Sequence, residues 1–462
     1  MLRRVVLPCL ALALPACGKA RADHEPPQPS GSSSTAIVGD VSELPASASA
    51  SASVGGGAPI VAGPTTIDVA LAGDAIPQQR VLAAPMAEVL AAMPGYWGAA
   101  DARVVNLEGP IGDRRALPGI GDKHLLAYAG TPAWLDDLQK ASRASAFVGA
   151  NNHACDLGPQ GLAGTLAEAE RQGAKLVGVA RDDPWKRVEL ADRGGHKVCL
   201  VAWTTFLNDK GRKQRACTDG APEGGGARVA VAELGAAGLS TLHAQLGAAG
   251  RWDGCDARVA FLHGGGEYRA QLPQVMEQAS AAAAYVDAVI VSHPHVPDDV
   301  EIVRAPAPLG DAKAGGGRAV GRGVPVYRSL GNFISNQGHG WSVGMTNACS
   351  YDPLRNVWTR VAMIARLRFG WGAGLAAGSP PSWVRYGYSL LFTDRDATSL
   401  RLRTLPSADD VVAEKLERAP KPFGGLLTGA CRVADGAAPS CDASHPPTSG
   451  PADAPAGVAA EP

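Results

Sequence analysis

From residue 65 onward, short β-branched or apolar runs alternate with Ala/Leu/Glu-rich stretches of helical spacing, the pattern of strands joined by helical crossovers. The runs predict strands at residues 67–72, 102–107, 145–149, 197–203, 258–262, 288–292 and 324–329. Helices are predicted over 131–141, 160–172, 239–246 and 272–285, the last with Pro273 in its first turn, where a missing N–H costs nothing. Later runs at 359–369 and 382–392 alternate as antiparallel strands do. A mixed sheet or a pair of sheets is therefore expected within an α/β fold.

The ends of the chain break this pattern. Arg3 and Arg4 precede an apolar run over 5–14 and then Leu14-Pro15-Ala16-Cys17-Gly18, a charged region, a short apolar core and a small residue before Cys17. This resembles a bacterial lipoprotein signal spanning residues 1–17, with Cys17 as the lipidation site; an ordinary secretory signal cut nearby is the alternative. Either way the mature protein is expected outside the cytoplasm; in the lipoprotein reading, lipid on Cys17 is its anchor to the membrane. Residues 18–64 are rich in Ser, Ala and Pro and cannot bury an apolar face, so they read as a disordered stalk. Residues 434–462 repeat that bias as a disordered tail, which leaves 65–433 as one globular region.

Composition removes some functions and adds one constraint. A formal net charge of −1 over 462 residues argues against a nucleic-acid binder. The apolar stretch 279–291 is interrupted by Tyr285 and Asp287, too short to span a bilayer. Past Cys17, seven cysteines remain, an odd set that leaves at least one thiol free or paired between chains; Cys431 and Cys441 are placed to close a small loop.

In open α/β sheets ligands gather beyond the carboxyl ends of strands. Here those positions carry Asp74, then Glu108, then Asn151-Asn152-His153, then His263-Gly264-Gly265-Gly266-Glu267-Tyr268, then His293-Pro294-His295, then Asn332. Each alone fits a turn, a cap or a surface histidine. Together they form a donor set of carboxylate, amide and imidazole suited to Mn, Fe or Zn, with no C-x-x-C to mark a thiolate site. Alternation in an extended segment is expected to turn His293 and His295 the same way.

The segments Val105-Asn106-Leu107-Glu108-Gly109-Pro110, Ala150-Asn151-Asn152-His153-Ala154-Cys155-Asp156, His263-x-Gly-x-Glu267-Tyr268, Ser292-His293-Pro294-His295 and Ser329-Leu330-Gly331-Asn332-Phe333 resemble, in order and spacing, the CapA family of bacterial capsule or poly-γ-glutamate synthesis proteins. The likeness implies a four-layer αββα sandwich similar to calcineurin-like metallophosphoesterases. It implies metal ligands at Asp74, Glu108, Asn152, His263, His293 and His295, one or two divalent ions, and catalytic roles for His153 and Glu267. Asn332 and Asn151 are then near substrate. Two departures stand out: Gly264 replaces the usual Trp, which predicts a more open wall, and Ile76 stands where the phosphatases carry a ligand histidine. A Gly/Ala-rich insert over 306–323 separates the sixth and seventh strands.

The function implied is a metal-dependent hydrolase or transferase acting on a phosphoester or an anionic envelope polymer. The rival is a non-catalytic lipoprotein that anchors the polymer or a membrane-bound synthase. A third reading is a periplasmic binding protein with Trp203, Tyr268 and Phe333 as stacking surfaces.

Overall fold

A computed structural model describes residues 64–113, 128–208, 212–220, 225–309, 317–340, 356–395 and 400–404. The signal with Cys17, the stalk, the tail and the Cys431/Cys441 pair lie outside these residues. The architecture is α/β with two mixed sheets.

In the first sheet β1 (Thr65–Ala75), β2 (Ala102–Leu107), β3 (Ala146–Val148) and β4 (Lys175–Val177) run parallel in that order. On the other side of β1 lie antiparallel β14 (Val361–Trp371), β15 (Trp383–Arg395) and β16 (Leu400–Thr404). The second sheet has parallel β7 (His196–Thr204), β9 (Ala257–His263), β10 (Ala288–Ser292) and β12 (Gly323–Leu330), closed at its edges by antiparallel β6 (Val188–Arg193) and β11 (Pro297–Arg304). A small separate pair joins β5 (Val179–Ala180) to β8 (Arg228–Val229).

The central strands are buried along their whole length, which is why they read as continuous apolar runs. Period-two alternation then sorts their faces. On β7, Val198, Leu200 and Ala202 share a core with Ile67, Val69 and Leu71 of the first sheet. Cys199, Val201 and Trp203 face the other way, onto Leu242 and Leu246 of helix α7 (Ala236–Leu246) and Val275 and Ala279 of α8 (Pro273–Ala282). Tyr327 Oη crosses from β12 to donate to the Gly387 carbonyl at 2.8 Å, with the Arg366 carbonyl also in reach at 3.2 Å. His196 stacks on Trp371 with centroids 4.5 Å apart. Both contacts tie the two sheets together.

Three short helices, α1 (Gln79–Leu82), α2 (Met86–Val89) and α3 (Gly95–Ala99), connect β1 to β2. Helix α4 (Pro132–Ser142) starts where the Thr131 side chain accepts from Trp134 N–H, and Pro132 sits in its first turn. It buries Trp134, Leu135, Leu138 and Ser142, a stripe at helical spacing; each large apolar side chain contributes about 1.5–3 kcal/mol on burial. Helix α5 (Gly158–Arg171) and α6 (Arg212–Asp219) complete the set.

Each of the seven expected central strands forms, but β4, β5, β6, β8, β11, β13 and β16 were not expected, nor was the pairing of the cysteines. Strand β11 lies between the sixth and seventh expected strands, ahead of the 306–323 insert, whose flanks are joined by Ala305 N–H to Arg322 O, while Arg318 pairs with Asp287. β13 (Asn332–Ile334) is a separate strand that pairs with β1. Four cysteines whose pairing the sequence left open form Cys155–Cys217 and Cys199–Cys255.

Candidate metal centre at the strand ends

The two sheets meet where their parallel strands end. Strand β12 stops at Leu330, and Gly331, at φ 66°, turns the chain out of the second sheet so that Asn332 pairs with Asp74 in the first. A Cβ on Gly73 would stand 1.9 Å from the Gly331 carbonyl oxygen, so this approach requires glycine there. The crossing carries Asp74 and Asn332 into the same buried space as the ends of β2, β3, β9 and β10.

Asp74, Glu108, His263, His293 and His295 are all buried there, none more than 2% exposed. Their donor atoms form two groups, Glu108/His263/His293 and Asp74/Glu108/His295, each with its atoms within 4.8 Å of one another. Glu108 belongs to both. Its Oε1 lies 3.7 Å from His295 Nε2, 3.8 Å from His263 Nε2 and 3.9 Å from His153 Nε2. These separations exceed hydrogen-bond length, and neither Glu108 oxygen receives a hydrogen bond. Asp74 is near enough to share a bond with Glu108 only when one of the two carboxyls holds a proton. His293 Nδ1 is likewise buried and unbonded. Orphaned buried groups are costly, and a carboxylate facing imidazoles at this spacing is what divalent cations take as a ligand set.

The electrostatics follow from burial and from this crowding. Burial, then the charge of Asp74, pushes Glu108 well above the ordinary glutamate range. Burial by itself would raise Asp74, but the His295 hydrogen bond, attraction to His263 and His295 in acid where they hold a proton, and the Ser292 hydroxyl hold it below the carboxylate range. Burial pulls His263 down to about 3 despite Asp74, and pulls His293 well down, helped by the neighbouring imidazoles. These histidines therefore stay neutral, the form that ligates metal.

Surrounding groups fix each ligand. His295 Nδ1 donates to Asn332 Oδ1 at 3.0 Å and to Asp74 Oδ2 at 3.2 Å, which leaves Nε2 unprotonated toward Glu108. Asn332 Nδ2 is held by Gln337 Oε1 and the Thr359 carbonyl, at 2.8 and 3.0 Å, so Asn332 orients His295. Asn106 Nδ2 donates to Asp74 Oδ1 at 2.7 Å and lies 3.1 Å from His263 Nδ1, while His263 Nε2 reaches Asn152 Oδ1 at 2.8 Å. Asn151 lies behind the ligands, its Nδ2 donating to the Leu107 carbonyl at 2.8 Å. His153 Nδ1 meets Asp156 Oδ2 at 2.7 Å, which turns Nε2 inward.

Several expectations change. His293 and His295 do not follow strand alternation: β10 ends at Ser292, and the two residues sit at φ 111° and 60°, a strained turn that brings the rings 5.7 Å apart. Gly264 does not open the wall, because Thr205 fills the space; a Cβ there would meet Thr205 Oγ1 at 2.3 Å. Glu267 is exposed at the rim, outside the buried cluster. Trp203 and Phe333 are fully buried core residues, so they offer no stacking surface, whereas Tyr268 borders the site beside His295.

Sequence reasoning missed Asn106, Ser292 and Asn208 as parts of the site. Ser292 donates to Asp74, and Asn208 accepts from Asn152 Nδ2 at 3.0 Å and lies within 3.2 Å of both His153 ring nitrogens. Asn106 and Ser292 were open to detection as polar residues closing apolar runs. Asn208 follows its strand by several residues and carries no such signal.

The family model described as bacterial capsule synthesis protein PGA_cap matches residues 68–337, more than half of the chain and the stretch that holds every residue of the site. The PGA biosynthesis protein CapA of Bacillus subtilis (strain 168) is 26% identical over 202 residues, an alignment that covers 41% of this chain and 42% of that protein.

Proposed function

The chain belongs to the bacterial capsule synthesis protein family PGA_cap, and we propose that it is an exported, metal-dependent hydrolase or transferase acting on a phosphoester or on an anionic envelope polymer of the poly-γ-glutamate kind. The observation that carries this reading is Glu108, a buried carboxylate with both oxygens unbonded and shared by two ligand groups. Asp74, Glu108 and His295 would hold one divalent ion; Glu108, His263, His293 and Asn152 would hold a second. When bound, such a pair of Mn, Fe or Zn ions supplies Lewis-acid polarisation and a nucleophilic water at neutral pH.

The residues of the chain do the rest. His153, fixed by Asp156, presents Nε2 toward Glu108 and delivers a proton to the leaving oxygen. Asn332 holds the His295 imidazole in the tautomer that leaves Nε2 free. We assign the two facing sheets and their helices to the four-layer sandwich of calcineurin-like metallophosphoesterases, an assignment supported by the gathering of ligands at strand ends. Export is supported by the N-terminal pattern and by two disulfides, which form in oxidising compartments, and a lipid anchor at Cys17 by the N-terminal pattern alone. The rival non-catalytic anchoring role is favoured by one feature, the buried Ile76 where the phosphatases place a ligand histidine.

To test the reading, the purified mature chain is loaded with manganese and assayed on a generic phosphodiester and on poly-γ-glutamate. Metal-dependent turnover of one of them is expected, falling roughly a hundredfold or more in Asp74→Ala and His295→Ala. A chain that holds manganese yet turns over neither supports anchoring, and a folded chain that holds no metal sinks both metal-based roles.

A further inference from the structure

Two phenols at the mouth of the site have no part in the proposal above. Tyr128 lies against His153, ring centroids 4.5 Å apart, and Tyr268 lies 5.7 Å from His295. Backbone bonds tie each to a segment bearing a site histidine. Tyr128 N–H donates to Asp156 Oδ2 at 2.9 Å, the carboxylate that holds His153. Tyr268, at φ 60°, donates its N–H to the Pro294 carbonyl at 2.8 Å, between His293 and His295.

Each phenol oxygen accepts from a glutamine amide, Tyr128 from Gln78 Nε2 at 3.5 Å and Tyr268 from Gln337 Nε2 at 3.2 Å. The amide orientations are fixed by groups that have only one role. Gln78 Oε1 accepts from Asn336 backbone N–H, which can only donate, so Nε2 must face Tyr128. Asn332 Nδ2 donates to the Thr359 carbonyl, which can only accept, so the same NH₂ group meets Gln337 as Oε1 and leaves Nε2 for Tyr268. A phenol has one proton to give. With a glutamine N–H on its lone pair, that proton points away from the glutamine. The adjacent residues Asn336 and Gln337 therefore set both tyrosines as donors.

Both phenols keep their protons at neutral pH, as the ordinary tyrosine value of about 10 dictates. Glu267, exposed at the rim, is an acceptor within reach of Tyr268.

We propose that Tyr128 and Tyr268 are paired O–H donors that grip an oxyanion of the substrate, phosphoryl or carboxylate, beside Glu108, with Glu267 displaced as it binds. This rests on the metal-site reading, so the test separates the two. The manganese-loaded chain is titrated calorimetrically with inorganic phosphate and, separately, with a short γ-glutamyl oligomer. The tighter anion identifies the source of the oxyanion. Tyr128→Phe and Tyr268→Phe keep the rings and remove only the hydroxyls; each is expected to weaken that anion about tenfold, and the pair about a hundredfold, with manganese affinity unchanged. Glu267→Gln, at an exposed position, is expected to tighten it. A wild-type chain that binds manganese and an anion while the double Phe variant binds both equally well overturns the donors and leaves the metal site standing. Manganese binding with neither anion held also overturns them. Failure to bind manganese at all sinks the metal-site reading, and the donors with it.

Discussion

At the scale of single residues the site is defined by what Glu108 lacks. Its raised pKa means the folded chain holds a proton that the unfolded chain releases at lower pH, so metal-free stability falls as pH rises through the folded value. His263 and His293 act in the opposite sense: their lowered values give stability that is present above the ordinary histidine value of 6.5 and lost as pH falls toward about 3 for His263. With chelator present and at about pH 8, Glu108→Gln is therefore expected to stabilise the chain by about 1–3 kcal/mol in denaturant unfolding, a gain that shrinks on acidification. A loss of stability would show that Glu108 is satisfied in the metal-free protein. Asp74, Glu108, His263, His293 and His295 were legible because each closes or follows an apolar run. Asn208 was missed because its partner Asn152 is 56 residues away.

At the scale of elements, the buried parallel strands announced themselves as apolar runs, whereas β11 did not. Its sequence PDDVEIVR is that of a charged edge strand, exposed on one side, which reads as loop. β13 is only three residues long and is defined by its partner β1. The loop after β9 shows how a substitution reads differently in space: Gly264 suggested an open wall, and Thr205 occupies it. Gly264→Ala is expected to cost about 1–3 kcal/mol as overpacking. Thr205→Ala in the same chain removes the two nearest atoms and is expected to restore part of that loss, whereas thermal unfolding that shows no effect of Gly264→Ala would mean the loop is open after all.

At the scale of the whole molecule, the fold places the carboxyl ends of parallel strands from two sheets at one buried point, with Gly73 and Gly331 allowing the backbones to touch. The α/β class and the pair of sheets followed from the alternation of runs; the facing of the sheets depends on contacts such as Tyr327 to Gly387, which no local pattern encodes. The disulfides strengthen this frame near the site, since Cys155 follows His153 by two residues and is tied to Cys217 of α6. Among the described residues no helix is long and apolar enough to cross a membrane. We propose that Glu108, common to both ligand groups, serves two ions as one shared carboxylate. Electron paramagnetic resonance of the full chain loaded with Mn(II) tests it most directly: two ions per chain with a spin-coupled multiline spectrum, lost in Glu108→Gln, is the predicted result. A single uncoupled ion, or a coupled spectrum that survives Glu108→Gln, would contradict it.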